Sequence, residues 1–110
     1  MKIKGKFKKD FENYLLKNDL MSPWEYQVFE KLSEIVKLAY IIGFLDSKGL
    51  YINTFSVCLI YTSFGYNIRF KDIEKPEIES DENEFDTRSL AIKDAISKAQ
   101  EIYNSNKIAI

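Results

Sequence analysis

From Leu50 to Tyr103 the hydrophobic pattern changes its period, and that change limits what the chain can fold into. A stretch rich in β-branched and aromatic residues gives way to a run of acids, and then to a capped segment with a period near 3.6. The order predicts a β-hairpin, a charged loop and a closing helix. At 110 residues the chain suits one domain, 1–110, burying about two-thirds of the surface its unfolded form would expose. Its 45% hydrophobic content is too high for a disordered chain, and its apolar runs are too short to cross a membrane.

The hairpin is expected over 50–71, with strands from Leu50 to about Ile60 and from about Phe64 to Lys71. In the second strand Phe64, Tyr66, Ile68 and Phe70 share one face, and Gly65, Asn67, Arg69 and Lys71 the other. The turn fits either Thr62-Ser63 or the stretch from Asn53 to Ser56, and a slip between them would invert the first strand. Residues 72–86 read as an exposed acidic loop. A lone hairpin is marginal, so either a third short strand joins it or its free edge pairs with another copy or another protein.

Helical spacing covers the rest. Phe7, Phe11, Tyr14 and Leu15 predict an amphipathic helix over 6–18. Ser22-Pro23-Trp24-Glu25 has the form of a helix start, with Met21 and Tyr26 at staple positions, and the apolar face from Val28 to Ile42 extends that helix over 22–45. Gly49 is placed to turn the chain out of it. The last helix is expected over 87–104, capped by Asp86 or Thr87 and stapled by Phe85 and Leu90. Its inward face holds Ile92, Ala95, Ile96, Ala99, Ile102 and Tyr103, with Ala91, Ala95 and Ala99 forming a low ridge for a sheet. The fold class is therefore α+β: two N-terminal helices, a β-hairpin or small antiparallel sheet, and a C-terminal helix packed on it.

The chemistry of the chain is defined by what it lacks. It contains no histidine, which removes the commonest general base and the commonest transition-metal ligand, and with them Ser–His and Cys–His nucleophile pairs. Its four glycines are too scattered for a phosphate-cradling loop. The single cysteine, Cys58, permits no internal disulfide and reads as a small buried apolar residue. The segment from Asp81 to Asp86 alternates oxygen ligands, but Asp86 and Ile92 stand where a calcium loop needs glycine and glutamate. The expectation is a protein that is not an enzyme and holds neither cofactor nor metal. The N-terminus is basic but has no apolar signal region, which points to the cytoplasm.

Sixteen Lys and Arg face seventeen Asp and Glu, for a net charge of −1, yet the signs are segregated. Lys4, Lys6, Lys8 and Lys9 crowd the start, and the acids crowd residues 72–86. The lysines are the candidate site for nucleic acid, with the solvated face of a helix as the simpler reading. Glu77, Glu79, Asp81, Glu82 and Glu84 are the candidate contact for a basic partner surface, weighed against a loop that only keeps the domain in solution. Tyr51, Tyr61 and Tyr66 read as exposed strand aromatics, and Tyr66 with Arg69 makes a second candidate contact.

Gly49-Leu50-Tyr51-Ile52, Tyr66-Asn67-Ile68 and Phe85-Asp86-Thr87, leading into a helix with Ala91, Ala95 and Ile96, resemble small phage and prophage proteins of uncharacterised function. Those proteins read as a hairpin followed by an F-x-T-x-x-x-A-x-x-x-A-I helix. The resemblance covers about half the chain and departs from the pattern at Arg88-Ser89, where acids would follow the cap, and in the long acidic segment. It implies a mobile-element setting and a non-enzymatic module that binds a host protein or nucleoprotein complex. The favoured form is an inhibitor or modulator of a nucleic-acid-targeting defence complex, in the manner of an anti-CRISPR protein acting stoichiometrically. A small nucleic-acid-binding module and a structural subunit that self-associates through the sheet edge, as a homodimer for example, are the alternatives.

Overall fold

The computed structural model describes residues 3–17, 29–58, 62–72, 77–80 and 85–105, without the side chains of residues 57, 58 and 62. The described residues form α1 (Gly5–Lys17), α2 (Glu34–Ser47), β1 (Leu50–Cys58), β2 (Thr62–Phe70), β3 (Ile78–Glu79) and α3 (Arg88–Asn104). The strands make one antiparallel sheet in the order β1-β2-β3. This is the expected α+β arrangement.

Register decides which side chains the sheet buries. β1 pairs with β2 from Leu50↔Phe70 to Cys58↔Thr62. Directly opposed residues share a face, so Leu50, Ile52, Thr54, Phe64, Tyr66, Ile68 and Phe70 lie on one side. That side meets α3, whose Ala91, Ala95 and Ala99 are fully buried. Methyl-sized side chains at every fourth position let the helix axis come close to the strands, so the alanine ridge read in the sequence is the contact itself. α2 lies against β1 and α3, and α1 lies across α2 and α3.

The centre of the core is aromatic. Phe7 and Phe11 of α1 meet Phe44 of α2 edge-on, with ring centroids 5.3 and 5.5 Å apart, and Phe7 meets Tyr103 of α3 at 5.6 Å. Edge-to-face pairs add about 0.5–1.5 kcal/mol each beyond the area they bury. Three separate helices are tied at this point by rings that are almost entirely out of water. The Tyr103 hydroxyl donates to Asp10 Oδ2 at 2.6 Å, and burial, reinforced by that bond, pushes its phenol well above the ordinary range.

Several expectations need correction. The helix expected over 22–45 is interrupted: residues 30–33 form a turn, Leu32 N–H donates to the Phe29 carbonyl, and α2 begins only at Glu34. Phe29 still packs on Phe11, at 5.2 Å, so the apolar rhythm continues across a break in the backbone. The proposed start at Ser22-Pro23, with Trp24 and the Met21–Tyr26 staple, lies outside the described residues, as does Tyr61. The side chain of Cys58 does too. The segment 72–86 is not loop throughout, because β3 joins the sheet within it and Phe85 bridges Phe64. Thr87 does cap α3, accepting from Leu90 N–H at 3.2 Å. Of the expected Phe85–Leu90 staple, Leu90 is 45% exposed and Phe85 packs on Tyr66.

Gly49 shows why the chain can leave α2 and start β1 within three residues. Its φ of +76° is a conformation side chains avoid, and a Cβ there would lie 2.8 Å from Lys71 Cβ. The same tight approach lets Lys71 N–H donate to the Gly49 carbonyl at 2.8 Å, extending the ladder past Leu50.

Candidate functional site

The face of the sheet opposite α3 carries the residues that alternate with the buried ones. β1 contributes Tyr51, Asn53 and Phe55; β2 contributes Gly65, Asn67 and Arg69. Among the described residues no helix packs on this side, and four paired rows cross it, the last of them, Val57 opposite Ser63, ending at a serine that is buried. Tyr51 stands opposite Arg69, Asn53 opposite Asn67, and Phe55 opposite Gly65. β3 lengthens one of these rows, setting Glu79 beside Asn67. Two residues earlier, Glu77 Oε1 lies 2.8 Å from Arg69 Nε.

The two patches singled out in the sequence therefore meet. Arg69 and two of the candidate acids, Glu77 and Glu79, sit on one surface because β3, with Glu77 just before it, runs along the strand that carries Arg69. Arg69 and Glu77 remain largely in solvent, with side chains 64% and 37% exposed, so their pairing orients both groups and adds little stability. Glu79 keeps an exposed carboxylate at the sheet margin. Asp81, Glu82 and Glu84 lie outside the described residues.

β3 has only two residues, and side chains reinforce it. Ser80 N–H donates to the Tyr66 carbonyl at 3.0 Å, and Ser80 Oγ accepts from Tyr66 N–H at 2.8 Å. The hydroxyl thus takes the place of a ladder carbonyl. Further along, Phe64 and Phe85 exchange two backbone hydrogen bonds, of 2.8 and 3.2 Å. The outer edge of β2 is closed by these bonds on either side of the undescribed Asp81–Glu84.

Tyr66 is not where the sequence reading put it. It is 5% exposed on the face toward α3, and its hydroxyl donates to Asp94 Oδ2 at 2.8 Å. Its burial follows from register: it alternates with Gly65 and Asn67, so it cannot share the open face with Arg69. Tyr51, by contrast, is 40% exposed on the open face.

The sequence reading missed Phe55, Asn67 and Ser80. A Cβ on Gly65 would come within 2.7 Å of the Phe55 ring and 3.0 Å of Ser80 Oγ, so the glycine is the slot in which the ring rests. An isolated glycine inside a strand is the signal that could have flagged this close approach. Asn67 Oδ1 is covered but has no hydrogen-bond partner among the described residues. A covered acceptor left unpaired costs about 1–3 kcal/mol.

The lysines are arranged differently. Lys4 N–H donates to Gln100 Oε1 at 2.7 Å, and the Lys4 carbonyl accepts from Asn104 Nδ2 at 3.0 Å. Asn104 Oδ1 also accepts from Phe7 N–H at 2.7 Å, so the end of α3 supplies acceptors to the first turn of α1. Lys6 Nζ sits 5.5 Å from the centre of the Tyr103 ring. Lys9 is exposed, and Lys8 is half-buried on another side of the helix. The basic end thus folds onto the C-terminal turn of α3, where cations complement the helix dipole.

Among the described residues no group of three or more His, Cys, Asp or Glu side chains gathers to hold a metal ion, and no helix is long and apolar enough to cross a membrane. No protein-family model, curated protein or solved structure matches the chain.

Proposed function

We propose that the protein is a non-enzymatic binding module that uses the open sheet face and the acids continuous with it to engage a basic protein surface. In its specific form it is a phage-type inhibitor or modulator of a host nucleic-acid-targeting defence complex, with CRISPR effectors as the favoured class. The observation that carries the reading is the placement of Glu79 on β3 and of Glu77 just before it, paired with Arg69, on a sheet face that no described element covers. Carboxylates fixed to a strand are presented without the ordering cost a free loop would meet on binding. Asp81, Glu82 and Glu84 follow directly in sequence and extend the negative charge. A surface of this sign complements grooves that hold nucleic-acid backbones, and the complementarity raises association rate and selectivity.

The test titrates the purified protein into CRISPR effector ribonucleoproteins and follows both target-DNA binding and complex mass. The expected result is saturation at a fixed stoichiometry that survives nuclease treatment of the sample. Replacing Glu77, Glu79, Asp81, Glu82 and Glu84 together by Lys should abolish the interaction while leaving the circular dichroism spectrum unchanged. Unchanged affinity in that variant would refute the electrostatic contact, and absence of any effector binding would refute the target class.

A further inference from the structure

The two edges of the sheet are finished in opposite ways. Beyond β2, the edge is closed by the two residues of β3, the Ser80 hydroxyl and the Phe85 bridge, with Glu77 and Glu79 exposed along it. β1 is nine residues long, and its sequence from Leu50 to Cys58 contains no charge, no proline and no glycine. Charges, prolines, bulges and shortness are the devices by which free edges avoid pairing with other chains, and β1 has none of the first two and is not short.

The hydrogen-bond phase of the ladder identifies the groups left free. Lys71 N–H bonds the Gly49 carbonyl, so the odd-numbered residues of β1 bond to β2 and the even-numbered ones turn their N–H and C=O groups away. The bonds of Phe64 and Tyr66 toward Phe85 and Ser80 confirm the phase on β2. The backbone groups of Ile52, Thr54 and Ser56, none of them fully buried, therefore point out of the sheet, and no backbone or side-chain partner for them occurs among the described residues.

We infer that β1 pairs antiparallel with β1 of a second copy, joining two three-stranded sheets into one six-stranded sheet about a two-fold axis. A second copy is the occupant that fits. An uncharged edge offers nothing to select a charged strand, and a net charge of −1 puts little repulsion between copies. An antiparallel strand pair is self-complementary by symmetry, so it closes as a dimer. With the axis at Asn53, Ile52 bonds to Thr54 of the second copy, and Tyr51 stands opposite Phe55 of the second copy on the open face. That register pairs the two aromatics β1 presents on that face, the arrangement that stabilises cross-strand neighbours. The interface is separate from the acids on β3, so failure of either proposal leaves the other standing.

Sedimentation equilibrium from low to high micromolar protein should give the mass of a dimer, and a wild-type monomer throughout would overturn the inference, as would open-ended polymers. Thr54→Pro removes an outward N–H without touching the bonds to β2, so it should yield a folded monomer. A folded Thr54→Pro protein that remains dimeric would place the interface elsewhere. Should that variant fail to fold, Asn53→Cys in a Cys58→Ala background decides the matter. Across the axis the Cα atoms of a non-hydrogen-bonded pair lie about 4.5 Å apart, within disulfide reach. Mild oxidation should link this variant into covalent dimers and leave Ser97→Cys, on the exposed side of α3, unlinked; equal linking of the two, or none, would overturn the pairing.

Discussion

The two faces of the sheet are built from alternate residues of the same strands, yet they follow different rules. Toward α3, Leu50, Ile68 and the alanines of the ridge are fully buried, and the polar tip of the buried Tyr66 has a carboxylate partner. On the open face Phe55 rests in the slot left by Gly65, the Asn67 acceptor has no partner among the described residues, and Arg69 and Glu77 pair in solvent. One face is organised for stability. The other carries features that stability does not require, which is the pattern expected of a surface kept for contact.

Adjacent residues of β2 make the sharpest test. Ile68→Ala should destabilise the protein by about 2–5 kcal/mol, because it removes buried methylenes and leaves a cavity under α3. The loss should appear as a lower urea midpoint with an unchanged slope. If it fell below that range, α3 would be able to settle onto the strand, and the buried face would be less rigidly packed than its alanine contacts imply.

Gly65→Ala tests the open face where it is most tightly fitted. The new methyl would displace the Phe55 ring and press on Ser80 Oγ, the atom that holds β3 to Tyr66. Overpacking of this kind costs about 1–3 kcal/mol. The ring can swing toward solvent, which favours the lower end. Hydrogen exchange should show the Ser80 amide losing protection before the amides of β1. Equal loss in both would mean that β3 does not open independently.

These faces were only partly legible in the sequence. Alternation in β2 was clear because Phe64, Ile68 and Phe70 are unambiguous, and the helix face of α3 was clear because its alanines and isoleucines repeat with the helical period. The break before α2 was hidden: Phe29, Leu32, Ile35 and Val36 keep an apolar rhythm through the turn, and periodicity reports faces, not backbone continuity. β3 was hidden as well, since two residues are too few to establish a period, and what holds it is a hydroxyl and a distant bridge. Residue type alone suggests a surface position for Tyr66, but its place between Gly65 and Asn67 puts it with the core. Of the candidate contact, the charges were legible, but the joining of Glu77 to Arg69 depends on a strand pairing that no local pattern announces.

Asn67→Val should separate stability from contact on the open face. It replaces an amide with an unpaired acceptor by a β-branched side chain suited to a strand, so the expected effect is neutral or stabilising by up to about 1 kcal/mol. Thermal unfolding checks the direction. Binding to the partner should weaken in the same variant if the polar row of Asn53, Asn67 and Glu79 is read by it. A destabilised Asn67→Val protein would mean that the amide has a structural role on this face.

The smallest effect belongs to Arg69 and Glu77. Their exposure keeps the pair in high dielectric, and a double-mutant cycle with Arg69→Ala and Glu77→Ala should give a coupling of about 0.2–1 kcal/mol that shrinks as salt is added. The two faces then differ in what their neighbouring residues contribute: removing Ile68 threatens the fold, whereas removing Arg69 changes it little. A salt-insensitive coupling well above that range would break the contrast, since it would require the pair to be shielded from water and the open face to be covered in solution.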